Sequence, residues 1–172
     1  QANYALAVFL LAYILSFVDR QILSLLVDPI KRDLGVSDLQ MGLLQGLAFA
    51  LLYAFLGVPV GLLADRAVRK RIIAGGVVFW SMATALCGFA GNYALLFAAR
   101  MGVGMGEATL SPSAHSFLSD AFEPAKLARA MAIYSMGITL GGGMAYLIGG
   151  SVVEAVANAD TTHLPLIGAL RP

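Results

Sequence analysis

A single cysteine, Cys87, in 172 residues rules out an intrachain disulfide and leaves the redox compartment unread. Charge is scarce too. Only 12% of residues are Asp, Glu, Lys or Arg, where a soluble domain carries about 25%. Those charges sum to +1, so no global attraction to an acidic partner follows. Basic residues sit in loops rather than in a stripe interleaved with aromatics, which argues against nucleic acid. No metal-ligand spacing and no nucleophile signature occur, so neither a metal nor a cofactor is expected. The first apolar stretch is not expected to be a secretory signal peptide, because it lacks a basic leader and is too long. The chain opens on Gln1 rather than Met and stops at Arg171-Pro172, as a piece of a longer protein would.

What is present is hydrocarbon. The chain is 59% apolar with a mean hydropathy of +0.83. Five stretches are long enough to cross about 30 Å of bilayer core as helix. The expected fold class is therefore an all-α integral membrane bundle, with spans at about 4–27, 39–64, 72–90, 93–119 and 128–156. Asp28-Pro29 is expected to end the first span, with Gly35 breaking a short polar connection. Gly42 and Gly46, and Gly57 and Gly61, form small-xxx-small pairs that would let the second span approach a neighbour closely. Pro59 is expected to kink that span, and Ser111-Pro112 to distort the fourth. Gly61 to Arg71 reads as a tight basic loop, and Gly91-Asn92 as a very short turn. Residues 1–157 form the bundle, and 158–172 are expected to be an extracytoplasmic loop leading to a sixth helix.

Lys and Arg in short loops orient such a bundle. The loops after spans two and four hold Arg66, Arg69, Lys70, Arg71, Lys126 and Arg129, against Lys31, Arg32 and Arg171 on the opposite side. That bias puts the N-terminus in the cytoplasm of a multi-pass protein, in a bacterial inner membrane or its equivalent.

Four charges lie inside the spans: Asp19 and Arg20 in the first, Arg100 and Glu107 in the fourth. Each costs roughly 2.5–3.5 kcal/mol at membrane depth, which favours groups that face a cavity or one another. At about 1.5 Å per residue, Asp19 lies roughly 23 Å from the cytoplasmic start of its helix. Glu107 lies roughly 18 Å, and Arg100 roughly 29 Å, above the cytoplasmic end of theirs. The Asp19-Arg20 pair thus falls between the other two in height. Arg100 and Glu107 share a helix face, whereas Asp19 and Arg20 point about 100° apart, so at most one of these should face the fourth span squarely. Ser111, one turn beyond Glu107, is a candidate partner for it. His115 is a candidate for packing, cavity lining or proton relay, and Gln45, Tyr53, Tyr134 and Tyr146 are candidate cavity-lining residues.

Gly61, Leu63, Ala64, Asp65, Arg66, Arg69 and Lys70 resemble the loop signature of the major facilitator superfamily; Val68 departs, where that family usually has Gly. Arg100 and Gly104 resemble its second signature. The Asp19-Arg20 pair, Gly104-Met105-Gly106-Glu107-Ala108, Pro112 and Ser119-Asp120-Ala121-Phe122 together are similar to spinster-like transporters. The resemblance implies the N-terminal half of a twelve-helix carrier that works by alternating access, with a C-terminal half of the same protein as partner. The antiporter-type Gly-Pro of helix five is absent from Gly141-Gly142-Gly143-Met144, so direction stays open.

The implied activity is proton-coupled secondary transport of a lipid-like or amphipathic anion, such as a lysolipid or sphingolipid. Asp19 and Glu107 would couple protons, Arg20, Arg100, Glu107 and Ser111 would bind substrate, and Asp65, Arg66, Arg69 and Asp120 would gate. Arg69 would pair with Asp120. Alternatives are a carrier of small organic anions, a channel or structural membrane subunit, and an intramembrane enzyme built on Glu107, Ser111 and His115. Protons, membrane lipids and a small-molecule or lipid substrate are the expected partners.

Overall fold

The structure, a computed structural model, describes residues 2–66, 69–157, 163–164 and 168–169. Side chains are described at all of these but 58, 61, 63–66, 69, 153, 155–157 and the last four. Helix α1 runs Ala2–Leu25, and after Leu26 a second helix, α2, covers Val27–Leu34. The expected end at Asp28-Pro29 is thus corrected: the connection is itself helical. Pro29 falls in the first turn of α2, where its missing N–H has no helical partner to lose. The stop is Gly35, at φ 62° and ψ 31°, a left-handed conformation that glycine adopts without a Cβ clash.

Ser37 then caps α3 (Asp38–Gly42) with a reciprocal box: its hydroxyl accepts from the Gln40 N–H while the Gln40 side chain accepts from the Ser37 N–H. Helix α3, a π-helical turn at Leu43–Leu47 and α4 (Ala48–Arg66) make up the second span, with Pro59 inside α4. Helix α5 spans Arg69–Gly88. The expected tight loop from Gly61 to Arg71 is corrected here, since most of it belongs to the ends of α4 and α5. Residues 67 and 68 lie outside the described residues.

The fourth span is two helices, α6 (Tyr93–Glu107) and α7 (Leu110–Ala121). Its N-terminus is capped by Asn92, whose side chain accepts from the Leu95 N–H at 2.9 Å. The break at Ala108 and Thr109 has a cause in Pro112: the proline ring clashes with the carbonyl four residues earlier, at Ala108. Helix α8 (Pro124–Ala157) opens with proline at its first position and completes the bundle. Beyond it, His163–Leu164 pairs antiparallel with Gly168–Ala169; the rest of the expected 158–172 loop lies outside the described residues.

Four helical stretches are long and apolar enough to cross a membrane among the described residues. The stretch expected as the fourth span, α6 with α7, is not one of these four, because its break keeps each piece short. Helix α1 packs mainly along α8, α5 along α6, and α4 against α6 and α7. Large apolar side chains such as Phe55, Met82, Phe89 and Leu147 remain exposed on the outside, as a lipid-facing surface requires.

Glycines decide where helices touch. A Cβ on Gly104 would lie 2.5 Å from the Phe49 carbonyl oxygen, and one on Gly106 2.6 Å from the Trp80 Cβ. On α8, a Cβ on Gly141 would lie 2.6 Å from the Ile14 carbonyl oxygen. The expectation for the second span needs correcting: a Cβ at Gly42, Gly46 or Gly57 meets nothing within 4 Å. The close approaches use glycines of α5, α6 and α8 instead, Gly76 of α5 facing Thr109 and the Gly106 carbonyl oxygen. Gly104→Ala is expected to cost about 1–3 kcal/mol by overpacking against backbone. Gly75→Ala, with nothing within 4 Å, should stay within about 0.5 kcal/mol. Melting of the two variants in detergent compares them, and equal losses would refute the packing account.

Candidate functional site: a buried double ion pair

The four intramembrane charges meet. The Arg20 Nε donates to Glu107 Oε2 at 2.7 Å, and the Arg100 Nη1 donates to Asp19 Oδ2 at 3.2 Å. Consecutive residues of α1 therefore pair with two residues of α6 seven apart, although at most one of them faces α6 squarely. The roughly 100° between Asp19 and Arg20 is bridged by side-chain length, since a guanidinium reaches several ångströms past its Cβ. The cluster is electrically neutral, with two carboxylates and two guanidiniums, which offsets much of the cost of desolvating them.

Glu107 is 1% exposed and Arg100 5%. Glu107 Oε2 accepts a second bond, from the Ser16 hydroxyl at 2.7 Å, while its Oε1 is buried with no partner among the described residues. Ser16 thus holds the place expected for Ser111. The helix break at residues 108–109 removes the regular one-turn offset between Glu107 and Ser111, which instead lies beside Tyr13 and Tyr134.

Aromatic rings enclose the Arg20 guanidinium. Its Cζ lies 4.3 Å from the Phe49 ring centroid, 5.0 Å from Tyr53 and 5.1 Å from Phe17, distances at which a ring face attracts a cation. Phe49 also serves Arg100, whose Cζ is 5.5 Å from the same centroid. Phe49 stands between the pairs because Gly104, lying between Arg100 and Glu107 in sequence, admits its backbone against α6. A second aromatic group adjoins the first: Tyr13 stacks on Tyr134 at 4.4 Å and meets Phe17 edge-on at 5.1 Å.

The remaining candidates fall as follows. His115 is exposed and sits edge-on to Tyr134 at 5.3 Å, away from the ion pairs. Tyr53 is half-buried beneath Arg20, Tyr134 is buried, and Tyr146 and Gln45 are exposed. Asp120 is exposed near the end of α7 and engaged in a contact of its own. The side chains of Asp65, Arg66 and Arg69 lie outside the described residues, as does the expected Arg69–Asp120 pair.

Ser16, Phe17 and Phe49 were missed. Helical spacing could have found two of them, since Tyr13, Phe17 and Arg20 share a face of α1, and Ser16 precedes Arg20 by one turn. Nothing in the sequence alone points to Phe49.

The model of the Major Facilitator Superfamily matches residues 9–159. The chain belongs to the major facilitator superfamily. Within that superfamily it is spinster-like. It superposes on a crystal structure of a bacterial homolog of the human lysosomal transporter Spinster, in an inward-facing and occupied conformation. The TM-score is 0.86 and the identity 41%, over 91% of this chain and 34% of that one.

It is 33% identical to an MFS-type efflux pump of Mycolicibacterium smegmatis, over 88% of this chain and 35% of the relative. It is 33% identical to human protein spinster homolog 1, over 87% and 29%. A probable L-galactonate transporter of Escherichia coli is 29% identical, over 80% and 30%. The chain thus spans about a third of the length of the relatives it matches. Members of the superfamily are transporters rather than enzymes, and its apolar helices make this a multi-pass membrane chain.

Proposed function

We propose that this chain is the N-terminal half of a proton-coupled carrier that moves an amphipathic anion, such as a lysolipid or sphingolipid, by alternating access. The observation that carries the reading is Glu107. It is a fully enclosed carboxylate that shares a guanidinium with the site and keeps one oxygen unpaired. An anionic headgroup that draws Arg20 away leaves Glu107 with only the Ser16 hydroxyl. A bare buried carboxylate is costly, so the carboxylate then takes a proton. Loss of the anion restores the pair and releases the proton.

Asp19 and Arg100 form a second such exchange. In this scheme Asp19 and Glu107 carry the one transported proton in succession, so that loss of either ends coupling; Arg20 and Arg100 bind the headgroup, and Ser111 beside Tyr13 contacts the substrate. The excess of Lys and Arg in the loops after spans two and four supports a cytoplasmic N-terminus.

A second reading, a carrier of small organic anions, is favoured by the likeness to the probable L-galactonate transporter. The two are separated in proteoliposomes of the full-length protein by counterflow of a labelled anionic lysophospholipid. Saturable uptake stimulated by unlabelled lysophospholipid on the far side, and not by a hexonate, supports the first. Stimulation by the hexonate alone supports the second. Uptake that neither saturates nor is stimulated contradicts a carrier of either kind.

Asp65, Arg66 and Arg69, with Asp120 at the other cytoplasmic helix end, are proposed to gate against the remaining half. Asp65→Asn should shift the balance of inward and outward accessibility of engineered cysteines while leaving lysophospholipid affinity within about twofold. Unchanged accessibility would remove Asp65 from that role.

A further inference from the structure

The Asp19–Arg100 pair borders a cavity that the transport scheme does not use. It measures about 360 Å³ and is walled by α1, α2, α5 and α6. Asp19, Arg100 and Thr84 lie at one part of its lining, Leu23 and Cys87 along the walls, and Asp33 where α2 borders it. Arg20 and Glu107 do not line it, so the two ion pairs have different surroundings. The Arg100 Nε, beside the cavity, is buried and has no hydrogen-bond partner among the described residues. Arg100 as a whole is only 5% exposed.

We propose that this cavity is a water-holding vestibule that gives hydrophilic solutes access to the Asp19–Arg100 pair from the side of the membrane on which α1 ends. Three observations carry this. A guanidinium N–H left bare beside an ion pair is a group that buried water commonly satisfies. The space beside it equals the liquid volume of about twelve water molecules. Asp33, which is exposed, places a charged group on the lining of an otherwise largely apolar chamber. Such a vestibule stands whether or not Asp19 carries protons. It gives each ion pair its own environment: ring faces around Arg20, water beside Arg100.

Cys87 lines the chamber, is half-buried and is the only cysteine of this chain, which makes it the probe. The test uses the full-length protein in sealed vesicles, with any cysteines outside this chain replaced. Two charged methanethiosulfonates, the 2-sulfonatoethyl and the 2-(trimethylammonium)ethyl reagents, are applied to one side at a time. They react with thiolate, which forms in water and not in hydrocarbon.

Both reagents are expected to modify Cys87 from the side where α1 ends, at least tenfold faster than from the other side. Ile30→Trp, which narrows the chamber, should slow both at least tenfold. Asp33→Asn, an exposed substitution that spares the fold, should raise the rate of the anionic reagent relative to the cationic one about threefold. Modification by neutral N-ethylmaleimide alone would overturn the proposal, because it would make the chamber dry. So would reaction from the opposite side only, or no reaction with either charged reagent in protein whose Cys87 labels fully after denaturation.

Discussion

Glu107→Gln is expected to abolish the extra accumulation of substrate that a proton gradient drives, while leaving exchange at equal pH in place. A gradient of one pH unit is worth about 1.4 kcal/mol per proton, so one proton per substrate supports about tenfold accumulation in the wild type. The glutamine keeps the shape of the side chain and an oxygen that can accept from Ser16 and Arg20, which now sit 2.7 Å from Glu107 Oε2. It cannot change charge. The fold should survive, because Arg20 keeps the Phe17, Phe49 and Tyr53 rings around its guanidinium. Accumulation in the variant should therefore fall to unity. Full accumulation would exclude Glu107 as the coupling group.

The second large effect is on stability. Arg100→Gln strands Asp19, whose side chain is only 12% exposed and whose ion-pair partner is the Arg100 Nη1. Removing one member of a buried pair typically costs about 3–5 kcal/mol, most of it the penalty of an uncompensated charge. Asp19→Asn in the same chain removes that charge. The double variant should thus be more stable than Arg100→Gln by about 2 kcal/mol or more, although it carries one more substitution. Thermal melting of both in detergent checks this, and a double variant that melts below the single one would contradict a mutually compensating pair.

Much of this was legible in the sequence, for a physical reason. Hydrocarbon demands long apolar helices, so the spans announce themselves, and it penalises charge, so Asp19, Arg20, Arg100 and Glu107 stand out. Small or apolar partners carry no such penalty. Ser16 and Phe49 look like ordinary membrane residues, and only the packing of α1 and α4 around α6 brings them to the charges. The glycines show the same limit. Gly42 and Gly46 have the spacing of a packing motif, but which face of a helix meets a neighbour is decided by the whole bundle, and the contacts fell to Gly104 and Gly141.

Pro112 pointed to a distorted fourth span, and the break came one turn upstream, where the proline ring meets a carbonyl. Helix α2 reads as a connection in the sequence because Asp28, Lys31, Arg32 and Asp33 make it polar. Yet Gly35 as its stop and the Ser37 and Gln40 box as the next start were both present in the sequence.

The most direct test is whether substrate moves protons. The full-length protein is placed in proteoliposomes containing a pH-sensitive dye, with no imposed pH gradient, and an anionic lysophospholipid is added outside. The wild type is expected to change internal pH in proportion to the lysophospholipid transported, and Glu107→Gln to transport it without a pH change. Uptake by the wild type with no pH change would contradict proton coupling at this site.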